Sequence, residues 1–259
     1  LRAVAHRPLE GKPKTCAIRR DGDQWFASIL CEIEVEDPLA RKTPVVALDR
    51  GVVCLTADSD GKVIANPRYL ECSLGRLARA QRTVSRRKKG SKNREKAKVR
   101  VAALHRTVRR QREHLLHQVS HNYAKSHGIV VIEKLQIGNM IKASSSLARG
   151  ILGAGWGRLA EMFRYKLAWS GGSLVEVPAA YSSQTCNECG HVDAASRSSR
   201  SEFACTSCGL KDHADINAAK VLKSRWRPSA QPVEGSSTDA RRSRKALRVP
   251  RRSGQSPSL

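Results

Sequence analysis

The sequence contains no uninterrupted apolar run approaching the roughly 18 residues that a transmembrane helix needs, which excludes a helical membrane span. Its first residues, LRAVAHRPLEGKPK, lack the apolar middle of a secretory signal, so the chain reads as soluble and intracellular, with no membrane partner. Acidic residues are scarce: 23 Asp and Glu stand against 48 Lys and Arg, for a formal charge of +25. That excess is far beyond what solubility requires and points to a polyanion. Nucleic acid is favoured over an acidic membrane face, because each phosphate neutralised by a basic side chain releases counterions. Aromatics are only 4% of the chain, so backbone tracking is expected over extensive base stacking. There is no initiator Met, and the opening residues resemble the middle of a β region, so the sequence reads as beginning inside a longer N-terminal region.

What is present is a patterned core. Residues 15–35 alternate apolar and polar on both sides of Asp21-Gly22-Asp23, which predicts a hairpin. Two or three strands follow over 44–66, joined at Asp49-Arg50-Gly51 and Ser59-Asp60-Gly61. The period then becomes helical over 70–127, with Leu70, Leu74 and Leu77 in one helix and Val101, Leu104, Val108, Leu115 and Val119 in another, broken at KKGSKN. A strand over 129–135, an amphipathic helix over 156–169, a strand from Ser173 and a last helix from Asp215 complete an α/β domain around a mixed sheet. Within the 156–169 helix, Trp156, Phe163 and Trp169 are expected in the core. The Ser-, Pro- and Arg-rich stretch 227–259 is expected to be a disordered basic tail.

The eight cysteines fall into two groups. Cys16, Cys31, Cys54 and Cys72 are scattered through strand-like segments and read as reduced core residues. Cys186 and Cys189 are separated by two residues, as are Cys205 and Cys208, and Gly190 and Gly209 follow the two pairs. Two such knuckles make a tetrahedral four-thiolate zinc site, closed to substrate and therefore structural. A disulfide framework is unexpected in an intracellular chain of this size. The neighbouring His191 is read as solvent-facing.

Three carboxylates stand out. Asp49 ends Val45-Val46-Ala47-Leu48, Glu133 closes Ile129-Val130-Val131-Ile132, and Asp215 opens the last helix. Acids beside apolar strands are costly to ionise without a cation, and three together form a cage for a hard divalent metal. Each also has a plain explanation. Asp49 can be a turn residue before Gly51, Glu133 can pair with Lys134, and Asp215 can answer the helix dipole while Asp212 caps the helix. His114, His117 and His121 share a helix face, for which a polar stripe is the simpler reading than a metal set. Between Gly75 and Arg112 there are sixteen Lys or Arg and one acid, Glu95. A merely solvated helix face would bring balancing glutamates, so Arg86, Arg87, Lys88, Lys89, Lys92, Arg94, Arg109 and Arg110 are expected to contact phosphates.

In order, VVALDRGV, IVVIEKL, YSSQTCNECG, FACTSCG and DHADINAAKVL resemble the OrfB/TnpB family of insertion-sequence proteins, related to type V CRISPR effectors. The likeness also takes in the basic segment and WGRLAEMFRYKLAWSGG, and covers roughly residues 15–224. It implies an RNase H-like (RuvC) fold with an inserted zinc ribbon, and the family's three catalytic acids fall on Asp49, Glu133 and Asp215. It further implies magnesium as the catalytic cofactor, DNA as substrate, a guide RNA as partner and a bacterial cytoplasmic, nucleoid-associated location. The expected domains are the end of an N-terminal wedge-like region over 1–40, a nuclease core over 41–182 including the basic helices of 70–127, a zinc ribbon over 183–211, the last core helix over 212–226 and the tail. Two alternatives stay open: a nucleic-acid-binding remnant that does not cut, and a DNA-strand transferase. The second lacks an obvious tyrosine nucleophile with paired metal-binding histidines.

Overall fold

A computed structural model describes residues 8–143 and 145–227, so the expected tail from residue 228 onward lies outside the described residues, as do residues 1–7. The first two strands, β1 (Lys12–Asp21) and β2 (Gln24–Glu32), form the expected antiparallel hairpin, closed by the two-residue turn Gly22-Asp23. Its apolar side chains do not enter a core: Ile18, Trp25 and Leu30 are exposed.

The central sheet has the order β5-β4-β3-β6-β7. Strand β3 (Val45–Arg50) pairs antiparallel with β4 (Cys54–Asp58), which pairs antiparallel with β5 (Val63–Ala65). On its other side β3 runs parallel to β6 (Ile129–Lys134), and β6 runs parallel to β7 (Ser173–Pro178). The uninterrupted apolar runs of β3 and β6 suit inner strands covered on both faces. By the two-residue period, Val46, Leu48, Val130 and Ile132 join one core, and Val45, Ala47, Ile129 and Val131 join the other. Asp49 is part of β3, opposite Ala57, so the reversal comes after Arg50 and not at Asp49 as expected.

Helix α1 (Tyr69–Arg86) and the 35-residue α2 (Lys92–Ser126) are separated at residues 87–91, close to the expected break. Ser91 caps α2 by accepting from the Arg94 N–H. At roughly 50 Å, α2 is longer than the sheet is wide. Its C-terminal half buries Leu116, Val119 and Tyr123 in the core, while its basic N-terminal half packs against α1. Between β6 and the next core helix lie α3 (Ile137–Ala143) and α4 (Ser145–Ala154). The sequence reading leaves both out, because their Gly- and Ser-rich stretch lacks a clean apolar period.

Helix α5 (Trp156–Trp169) buries Trp156, Leu159, Phe163 and Leu167 against the sheet. Trp169 departs from the expectation and is 77% exposed. Six residues after Phe163 the helix has turned about 240°, off the buried face. The expectation for four scattered cysteines also needs correction: Cys16 and Cys72 are exposed and Cys31 and Cys54 half-buried, Cys72 being on helix α1 and not on a strand. Phe163 is fully buried, so Phe163→Ala should destabilise the fold by about 3–5 kcal/mol, read as a shifted denaturation midpoint. A change under about 1 kcal/mol would show that this face of α5 does not carry the core.

The cysteine segment adds the short antiparallel strands β8 (Glu202–Ala204) and β9 (Lys211–His213), then helix α6 (Ala214–Arg225) closes the second face of the sheet. His213, and not Asp212, caps α6: its Nδ1 accepts from the Asp215 N–H, while Asp212 pairs with Lys220.

Candidate active site and cysteine cluster

Parity carries the acids to one side of the sheet. Leu48 lies beside Ile132 in the parallel ladder, so the next positions, Asp49 and Glu133, sit beside each other at the carboxyl ends of β3 and β6. They share the parity of Ala47 and Val131, whose core includes Leu222 of α6. Asp215 lies in the first turn of that helix, where a negative charge is favoured. Their mutual influence is direct. Burial, followed by the charges of Glu133 and Asp215, pushes the Asp49 carboxyl well above its ordinary range, against the opposing pull of Arg197 and Arg50.

Glu133 is 5% exposed and held on one side only. Its Oε1 accepts from Arg50 Nε at 3.0 Å and from the Arg50 backbone N–H at 3.3 Å. Its Oε2 is buried and has no hydrogen-bond partner. Burial raises its proton affinity and the Arg50 guanidinium opposes that shift. A buried carboxylate oxygen without a donor is the kind of atom that a cation would satisfy. No donor among the described residues reaches the Asp49 carboxylate either. Oxygen ligands of this type suit a hard divalent ion, so the residues fit the expected metal. Asp215 differs, because Arg197 of the cysteine segment donates to its Oδ1 at 2.9 Å. Among the described residues, the only group of three or more potential ligands lying mutually within 4.8 Å is the cysteine set, so the acids converge without meeting that limit.

Sequence reasoning missed Arg50, Arg197 and Asn217. The fully buried Asn217 joins the cysteine segment to α6: its Oδ1 accepts from Asn187 N–H and Nδ2, and its Nδ2 donates to the Thr185 carbonyl at 2.8 Å. Nothing in a Ser- and Arg-rich insert marks Arg197, whereas Arg50 could have been suspected as a cation beside Asp49.

The four expected cysteines do come together. Their sulfurs lie mutually within 4.8 Å, with Cys186 to Cys208 at 3.7 Å and Cys189 to Cys205 at 3.6 Å. Four sulfurs tetrahedral about one ion, each about 2.3 Å from it, would be about 3.8 Å apart, so the cluster could hold a metal. The knuckles repeat one local design. Cys186 N–H donates to the His191 carbonyl and Gly190 N–H to Cys186, just as Cys205 N–H donates to Leu210 and Gly209 N–H to Cys205. Gly190 at φ 75° and Gly209 at φ 76° take the left-handed backbone those returns demand. The Cys208 backbone N–H helps to hold the Cys205 thiol below its ordinary range. His191 is exposed.

The expected phosphate contacts divide. Arg86, Arg87, Lys88, Lys89 and Lys92 are exposed at the turn between α1 and α2. Arg94 instead ties that turn together, donating to the Val84 and Arg87 carbonyls at 2.9 Å each. Arg109 pairs with Asp21, and Arg110 donates to Gln24 and lies over the Phe26 ring. With Arg106, which reaches the Asp21 carbonyl and Asp23, they anchor the hairpin tip on α2.

Comparison with known proteins adds an independent line. Residues 28–144 match OrfB_IS605, described as "Probable transposase", and residues 156–222 match the TNB domain of Cas12f1-like proteins. The chain is 35% identical over 230 residues to InsQ of Escherichia coli (strain K12), named for an inferred RNA-guided DNA endonuclease activity, covering 83% of this chain and 57% of InsQ. It is 39% identical over 220 residues to a Streptomyces pristinaespiralis protein named for the same inferred activity, covering 83% of this chain and 54% of that protein. The chain thus spans about half the length of the curated relatives it matches. A cryo-EM structure of a Cas12f1-sgRNA-target DNA complex aligns with a TM-score of 0.50 at 19% identity, over 79% of this chain and 54% of the other. A CRISPR-Cas12f ternary complex aligns with a TM-score of 0.52 at 21% identity, over 76% and 42%. At those identities the likeness concerns the fold.

Proposed function

Through residues 28–144 the chain belongs to the OrfB_IS605 family of probable transposases, and from that membership we propose that it acts as a metal-dependent, RNA-guided DNA endonuclease. The observation that carries the reading is the buried, unpartnered Glu133 Oε2 beside Asp49, with the charge of Asp215 close enough to act on Asp49. We assign the three acids as ligands for magnesium. Bound there, magnesium would supply Lewis-acid charge for phosphodiester hydrolysis. The chain's own part is to fix the carboxylates on strand ends and a helix start, which hold their positions better than loops do, and to keep Glu133 in a dry setting. Zinc is assigned to Cys186, Cys189, Cys205 and Cys208 as a structural ion that shapes the segment bearing Arg197.

The proposed division of the chain follows the sequence boundaries: a nuclease core over 41–182, a ribbon over 183–211 and the closing helix over 212–226. The exposed Arg86, Arg87, Lys88, Lys89 and Lys92 are assigned to phosphates, whereas Arg94, Arg109 and Arg110 already have protein partners. Changing those five residues to Gln should flatten the dependence of log K on log salt by about 4 units for duplex DNA. An unchanged slope would move the phosphate contacts elsewhere.

Guidance is tested by purifying the chain with its co-expressed RNA and supplying magnesium and duplex DNA. Cutting should disappear after ribonuclease treatment and return with the RNA. Cutting that survives the ribonuclease would leave a nuclease without a guide. A specific observation also favours the rival reading, a binder that does not cut: Arg50 and Arg197 already neutralise Glu133 and Asp215. Tight DNA binding with no cutting at any magnesium concentration would decide for it.

A further inference from the structure

Resting on the reading of the acids as metal ligands, we propose that Arg50 is a positioning residue that presents Glu133 to the ion through one oxygen. Arg50 is among the few buried charged side chains of the core, with 3% of its side chain exposed. All its bonds go to two places. Nε reaches Glu133 Oε1 at 3.0 Å, and Nη2 reaches the Glu133 carbonyl at 2.6 Å, so one guanidinium grips both the side chain and the backbone of the same residue. Nη1 donates to the Trp156 carbonyl at 3.3 Å, and Trp156 Nε1 returns a bond to the Gly51 carbonyl at 3.1 Å. The end of β3, the end of β6 and the start of α5 are thereby locked together.

The consequence for Glu133 is geometric. With Oε1 engaged by two donors from Arg50, rotation of the carboxylate would break both bonds, and only Oε2 is left without a partner. A planar fork can hold a carboxylate in this way, whereas a lysine ammonium offers a point charge on a flexible stem. A buried ion pair serving stability alone gives no reason for one oxygen to be left unsatisfied, since such pairs persist when the remaining lone pairs are also met. Partners that orient a metal ligand typically change metal affinity 10–100-fold when removed.

The test uses the whole 259-residue chain and manganese as the probe, with free and bound Mn²⁺ separated by electron paramagnetic resonance and melting followed in chelator. Arg50→Lys keeps the charge and removes the fork. It should weaken Mn²⁺ binding by about 10-fold or more, and in a Glu133→Gln background it should have no further effect. Wild-type affinity in Arg50→Lys, with only the melting temperature lowered, would reduce Arg50 to a structural residue and overturn the inference. Should Arg50→Lys not fold, the pair Arg50→Met with Glu133→Gln removes both charges together, and it should bind Mn²⁺ as weakly as Glu133→Gln alone. Further weakening in that pair would show that Arg50 acts other than through Glu133. Wild-type Mn²⁺ binding that survives Asp49→Ala is a different failure, since it would overturn the metal reading of the acids and the Arg50 role with it.

Discussion

Replacing Asp49 with Ala should lower magnesium-dependent DNA cutting by about 10³-fold or more, while DNA binding stays within a few-fold of wild type. The size follows from removing a ligand to an ion whose transition-state stabilisation is worth several kcal/mol, each about 1.4 kcal/mol being a factor of ten. Stability should move the other way. Asp49 sits among the charges of Glu133 and Asp215, and its proton affinity is raised by burial first and by those neighbours second. Because the folded state then holds a proton that the unfolded chain has released, the metal-free protein loses stability as pH rises above the ordinary carboxylate value of 3.8 toward the raised folded one. Asp49→Asn removes that penalty. It should therefore melt higher than wild type in chelator at neutral pH and cut no DNA. An Asp49→Asn protein that melts lower than wild type under those conditions would show that the carboxylate has a structural role unconnected with an ion.

The second large effect is expected at the cysteines. Cys186→Ser should take the zinc content from one equivalent per chain to none and unfold the ribbon locally. Structural zinc contributes on the order of 10 kcal/mol to small domains of this kind, more than the few residues packed with Cys186, Phe203 and Leu210 can replace. Hydrogen exchange should accordingly lose protection over residues 183–211, while β3 and β6 keep theirs, since their core is formed by other residues. Cutting should fall as well, because the ribbon is tied through Asn217 to α6, the helix that carries Asp215. Zinc remaining at one equivalent in the variant would refute this ligand set.

Much of this arrangement can be read from residue order. Two unbroken apolar runs, each followed by an acid, read as strands of a mixed sheet, and the paired cysteines read as one ligand set; the structure lays the two runs side by side in parallel and brings the four sulfurs within 4.8 Å of one another. The misses have physical causes. Local pattern says which residues are apolar but not whether a face finds a partner, so Trp169 and the scattered cysteines read as core yet face solvent or lie at its margin. Charge counting likewise cannot separate an arginine that waits for phosphate from one that holds the protein together. Arg94 is held by the Val84 and Arg87 carbonyls of the adjoining turn, whereas Arg109 and Arg110 are held by Asp21 and Gln24 of the hairpin, distant in sequence. Arg197 and Asn217 matter only through contacts across the ribbon boundary, which no local period announces.

The central claim, that three separated acids make one cation site, is met most directly by crystals grown with Mn²⁺ and measured at the manganese absorption edge. An anomalous peak within coordination distance of Asp49, Glu133 Oε2 and Asp215 is the expected result, with Arg197 turned away from Asp215. Crystals held at saturating Mn²⁺ that show no anomalous peak among those acids, with Arg197 still on Asp215, would contradict it.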